Sequence, residues 1–204
     1  MPRKKSVRKA AQDFIDKAED VLDFCEHAKS WKMSDQEHSW VYEAGLVKLE
    51  AAFEHLMLHA LVGTINNNTS ILSAASGAQF PRHLTDEACE FIVTGGGYFD
   101  CRGRDGLIAT LKRFLRPKPS NARVPTHYLV SVVGDRRYKE TLDRLFALRN
   151  FAAHESRQSK LAARKAVGVN LGSAGSWLKR QERFNDLTVK LVLMAARIKR
   201  AAPY

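Results

Sequence analysis

The segment that most constrains the fold begins at Ser34-Asp35-Gln36-Glu37 and continues as SWVYEAGLVKLEAAFEHLMLHAL. Ser34 is placed to accept from the first helical turn and Glu37 to reach back to the cap, so the tetrapeptide reads as a capping box. It opens the longest helix in the chain, from about Asp35 to Thr64. Ala44, Leu49, Phe53, Leu56, Met57 and Ala60 form its main apolar face, and Val47, Ala51, Leu58 and Val62 form a second. A helix that is apolar nearly all round has to be enclosed by others, which makes it the centre of a helical bundle. Glu43, Glu50 and Glu54 project between the two faces and need partners there.

The rest of the pattern is also helical. Phe14, Ala18, Val21, Leu22 and Cys25 recur at helical spacing over Val7 to Lys29. The Asn-, Ser- and Gly-rich stretch 65–81 reads as a loop. A shorter helix is expected after Leu84, capped by Thr85 or Asp86, and another from about Asp105 to Leu115. Gly95-Gly96-Gly97 breaks the chain between them, and Pro117, Pro119 and Pro125 exclude regular helix beyond. HYLVSVV (127–133) fits strand or buried helix, and helix is preferred because no second strand pattern exists to pair with it. Helices over Asp135 to Ala153 and Ser173 to Ala201, with a basic segment between them, complete an all-α bundle. It occupies 1–204 as one domain, with a loop-rich insertion at 65–125.

Within LDRLFALRNFAAH, Leu142, Leu145, Phe146, Ala152 and Ala153 form an apolar stripe, and Arg149 projects from its middle. An arginine cannot shed its charge, so it must find a carboxylate or a solvated groove that admits an anion. Glu50 or Glu54 is the expected partner, with Glu54 preferred. At about 100° per residue, Arg149, Asn150 and His154 span an arc of about 140° and could line one cleft.

Arg149-Asn150-Phe151-Ala152-Ala153-His154 resembles the R-x4-6-H motif of HEPN-domain ribonucleases, in which a polar residue commonly follows the arginine. The long helix is similar to the second helix of that superfamily, near its RiboL-PSP-HEPN and MAE-type branches. The resemblance implies an HEPN-like bundle and a homodimer that brings two motifs together over RNA. It also implies metal-independent endonucleolytic cleavage, with no cofactor. The catalytic residues would be Arg149, Asn150 and His154, and Glu50 and Glu54 would support them. The 2′-hydroxyl would attack, His154 would move the proton, Arg149 would stabilise the phosphorane and Asn150 would orient either. A toxin or anti-phage role, with a cognate antitoxin or inhibitor protein, follows from the same resemblance. A scaffold that holds RNA or protein without cutting is the alternative. The segment shows no R-x4-Y-x-H form, which argues against control by adenylylation of a motif tyrosine.

Charge fits an acidic partner, since 33 Lys+Arg against 22 Asp+Glu give a formal +11. Arg144, Arg157, Lys160, Arg164 and Lys165 flank the motif, and Arg3, Lys4, Lys5, Arg8 and Lys9 start the chain; both groups are candidate phosphate contacts. Cys25, Cys89 and Cys101 are scattered, as expected of reduced thiols in a cytoplasmic protein. No signal peptide is read at the start, and the apolar run Leu191 to Ala196 is too short to span a bilayer. His55 and His59 have the i, i+4 spacing of zinc ligands but lack a third, so no metal site is assigned. Gly95–Gly97 with Arg102 and Arg104 lacks the P-loop lysine and reads as a tight turn. Ser173 and Ser176 lack a nucleophile-elbow context, and the tryptophans Trp31, Trp40 and Trp177 are expected to anchor core or interface.

Overall fold

The computed structural model describes residues 4–99, 101–116 and 126–204, so the proline linker and Arg3 lie outside the described residues. Among them every regular element is a helix: α1 (Val7–Ala28), α2 (Asp35–Asn67), α3 (Thr69–Ser76), α4 (Asp86–Thr94), α5 (Gly103–Leu115), α6 (Tyr128–Gly134), α7 (Arg136–His154), α8 (Arg157–Val167), α9 (Ala174–Leu178) and α10 (Arg183–Ala201). The all-α expectation holds.

The capping box forms as read: Glu37 N donates to Ser34 Oγ, and Ser34 N donates to Glu37 Oε2 at 2.6 Å. Helix α2 runs through the centre, with α1 along one side and α7 along another, while α10 closes the bundle against α1 and α7. Leu46, Leu49, Phe53, Leu56, Met57 and Leu61 are fully or almost fully buried in one continuous core. The core-facing side differs in part from the expected one. Ala44, Val47 and Ala51 are exposed, and Tyr42, Gly45 and Leu46 are buried instead. Gly45 permits this, because a Cβ there would stand 2.6 Å from Cys25 Sγ and 3.3 Å from the Phe184 ring.

Three segments depart from the sequence reading. The 65–81 stretch is not all loop: Asn68 caps α3 through a bond accepted from Ser70 N, so a side-chain cap restarts the helix where composition suggested irregularity. The basic segment after His154 is helix α8, opened by Ser156 and closed by left-handed Gly168. The last helix is broken in two, at Gln181 and Glu182, which both have φ 54°. No glycine or proline marks that break. The piece before the break, α9, lies so close on α2 that a Cβ at Gly175 would come within 1.8 Å of Ser39 O.

The three cysteines are buried. No helix among the described residues is long and apolar enough to cross a membrane.

Candidate active site

The three carboxylates of α2 each hold a different element. Glu43 Oε1 accepts from Gly175 N at 2.9 Å, fixing the start of α9. Glu54 Oε1 accepts from Cys101 N at 3.4 Å, fixing the turn that leads into α5. Glu50 Oε2 stands 3.2 Å from Arg149 Nε. The partner of Arg149 is therefore Glu50 and not the preferred Glu54. The reason is angular: Glu50 faces α7 across the α2–α7 contact, whereas Glu54, one turn on, reaches the incoming loop.

Glu50 is almost fully buried, and burial together with the neighbouring Glu54 pushes its carboxyl up to about 7, against the pull of Arg149. Arg149 is only partly covered, and its Nη1 donates to Asn150 Oδ1 at 3.2 Å. Asn150 and His154 are exposed, and the His154 ring makes no hydrogen bond to another described residue. His154 ends α7, and Glu155 after it takes the left-handed conformation (φ 45°), so the helix stops with the imidazole at its rim.

The apolar stripe that anchors α7 is Leu142, Leu145, Phe146, Leu148 and Phe151. Ala153, expected in it, is exposed. Asp135 secures the other end of the helix. Its side chain accepts from Arg137 N at 3.0 Å and pairs with Arg197 of α10, and those arginines hold it well below the usual carboxylate range.

These elements enclose a cleft of about 440 Å³ lined by Glu50, Glu54, Phe99, Arg102, Gly103, Phe146, Arg149, Asn150 and His154. All five residues selected from the sequence as catalytic or supporting meet there. Phe99, Arg102 and Gly103 were missed: they lie in the segment read as a plain turn, and only the packing of α4 and α5 against α2 and α7 brings them to the cleft. A signal was present in the sequence, namely an aromatic and an arginine beside a triple glycine. Chemically, the site sets two guanidinium side chains and an imidazole against a buried carboxyl, Glu50, and a half-buried one, Glu54, a combination that can bind a phosphodiester and move a proton beside it.

Of the flanking basic residues, only Lys165 lines a depression that adjoins this cleft. Arg157 is exposed at the start of α8, Lys160 lies over the Phe151 ring at 5.8 Å, and Arg164 has a buried Nε. Arg144 is structural: it pairs with Glu140, donates to Ala166 O and packs on Trp177, which Arg183 covers from 4.7 Å. At the chain start, Lys5 N donates to Asn66 Oδ1, Arg8 Nε to Ala202 O and Lys9 Nζ to Asp13. The rings of His55 and His59 lie 3.7 Å apart, centroid to centroid, and burial, Lys5 and His55 pull His59 down to about 4. Among the described residues no group of three or more His, Cys, Asp or Glu is placed to hold a metal ion.

Comparison of the chain with family models, with curated proteins and with solved structures gives no match.

Proposed function

We propose that the chain is a metal-independent endoribonuclease of the HEPN type, acting as a homodimer in a toxin or anti-phage defence role. One observation carries this reading: Arg149, Asn150 and His154 line the same cleft, and Glu50 anchors the arginine from below. A partly exposed guanidinium kept at the cleft by a buried carboxyl is in place before substrate arrives, which favours stabilisation of a phosphorane. His154 sits at the open rim, where it takes the 2′-hydroxyl proton or returns one to the leaving 5′-oxygen. Asn150 receives one Arg149 N–H, which leaves the other guanidinium donors to turn toward the phosphate. The products carry a 2′,3′-cyclic phosphate and a 5′-hydroxyl, and DNA, which lacks the nucleophile, survives.

A surface beside the cleft supports the dimer. Trp40, Ala44, Val47 and Ala51 follow the 4-3-4 spacing of a helix-pairing seam, and all four are exposed on α2. Glu54 lies two turns beyond Val47 on the same face and lines the cleft. A second copy seated on this seam would lie next to the cleft, where each copy's histidine could take one of the two proton transfers.

The test is incubation of purified protein with labelled single-stranded RNA and matched DNA in EDTA, beside Arg149→Ala and His154→Ala. RNA-only cleavage that leaves a cyclic phosphate, and that falls at least about 100-fold in both variants while they elute as the parent does, is the expected result. Intact RNA with clean parent protein, across several RNAs including tRNA, moves the reading to a non-cutting RNA- or protein-holding module. Undiminished cleavage in both variants would remove the site assignment.

A further inference from the structure

The cleft opens at one side into a larger groove of about 730 Å³, and the two share Arg102, Gly103, Phe146 and Asn150 in their walls. Three elements distant in sequence build the groove. The start of α5 supplies Arg102 and Arg104, the first turns of α7 supply Arg136 and Lys139, and the last turn of α8 supplies Lys165. Asp105, Glu140 and Asp143 also line it, but each is already engaged: Asp105 by Arg104 at 3.2 Å, Asp143 by Lys139, and Glu140 by Arg144 from outside the groove. Arg104 is a fixed cation, nine-tenths covered and donating to Gly134 O at 3.1 Å, while its Nε has no hydrogen-bond partner among the described residues. Arg136 and Lys165 are exposed and make no ion pair among the described residues. The groove therefore offers surplus positive charge along a path that ends beside His154.

We infer that this groove is the track for a single RNA strand leaving the cleft, gripped through its phosphates by Arg136 and Lys165, with Arg104 and Lys139 balancing Asp105 and Asp143 in its walls. The inference rests on the ribonuclease reading and adds the path of the substrate. Phe146 is the only aromatic residue lining the groove, and it is buried, so no platform for stacking bases is present among the described residues. Contact is thus to the backbone, and the strand is held without regard to sequence. The strand is single because in-line attack by a 2′-hydroxyl needs a nucleotide freed from A-form stacking. An acidic protein segment would satisfy the charge alone. The continuity through Asn150 and Arg102 favours a ligand whose reacting bond lies in the cleft and whose next phosphates lie in the groove.

The test uses the full chain with Arg136→Glu and Lys165→Glu combined, two exposed side chains that make no ion pair among the described residues. Binding of a labelled oligoribonucleotide is read by anisotropy in a His154→Ala background, and cleavage is read on a long RNA and on a dinucleoside monophosphate. We expect binding at least about 10-fold weaker, a salt slope lower by about 2, and slower cleavage of the long RNA with the dinucleotide rate unchanged. Lost binding with a parent protein that cuts no RNA would still uphold the groove while ending the catalytic reading. Unchanged affinity and unchanged salt slope would overturn the groove, whatever the cleavage rates. Loss of polyglutamate binding with RNA binding untouched would also overturn it, in favour of a protein partner.

Discussion

Glu50 Oε2 and Arg149 Nε stand 3.2 Å apart across the α2–α7 contact, yet among the described residues neither atom completes a hydrogen bond. The contact is a charge pair without alignment, so the arginine is restrained but not saturated. One end of its guanidinium is committed to Asn150 and the rest is free to turn toward an anion. Arg149→Ala strands a buried carboxyl and should cost about 1–3 kcal/mol of folding stability, the smaller values reflecting the partial exposure of the arginine. Adding Glu50→Gln should recover most of that loss, as read by urea unfolding of both single variants and the double. A double variant no more stable than Arg149→Ala would show that the two side chains are not coupled.

The same pair sets a pH dependence. Glu50 titrates near 4.5 when unfolded and near 7 in the fold, so between those values the folded protein keeps a proton that the unfolded chain has released. Stability from protonated Glu50 is complete below pH 4.5 and drains away as pH rises to about 7. His59 and His127 slope the other way: burial leads in pulling both to about 4, so the fold loses their contribution as pH falls below 6.5. Subtracting the melting curve of Glu50→Gln from that of the parent cancels the histidines. The difference should move in favour of glutamine by a few degrees between pH 4.5 and 7.5, then level off. A flat difference would mean that Glu50 ionises normally in the fold.

The bundle was legible where local chemistry and burial agree. Ser34 and Glu37, Thr85 before α4, and the leucine spacing of α7 each announce a helix in terms of their own neighbours. The site was legible for a different reason, since an arginine in an apolar stripe and glutamates on an enclosed helix are each costly alone and therefore demand one another. What could not be read is whatever packing decides. The last helix is interrupted at Gln181 and Glu182, residues with no breaking tendency, and α8 is polar enough to pass for a loop. The choice between Glu50 and Glu54, one turn apart, depends on how α7 is rotated. Arg102 reaches the cleft only through the path of the chain between α4 and α5.

Arg102 allows its structural and functional parts to be separated. It precedes α5 with φ 39°, a left-handed conformation that glycine adopts without strain, and its side chain lines the cleft. Arg102→Gly should keep folding stability within about 1 kcal/mol of the parent, because backbone relief offsets the lost contacts. Cleavage should fall about 10-fold, mostly as a rise in KM, if the guanidinium binds the ground-state phosphate. Arg102→Lys, which retains the charge but not the fork, should lie between. Equal kcat/KM in all three proteins would remove Arg102 from the site.

The seam on α2 carries the last prediction. Trp40 is 56% exposed and Val47 37%, an arrangement that leaves an apolar stripe in water unless a second helix covers it. Val47→Glu with Ala51→Glu alters no buried side chain, so the fold should survive with an unchanged circular dichroism spectrum. The elution volume should shift from dimer to monomer, and cleavage should fall at least about 10-fold because the histidine of the second copy is withdrawn. Mixing the inactive Arg149→Ala and His154→Ala proteins gives the complementary result. If an arginine of one copy works with a histidine of the other, mixed dimers hold one Arg149–His154 pair across the interface, enough for one of the two proton transfers, and part of the activity returns on mixing. Recovery that vanishes when both partners also carry the seam substitutions would tie the activity to this face of α2. A monomeric parent, or activity that survives in the monomeric variant, would confine the chemistry to a single chain.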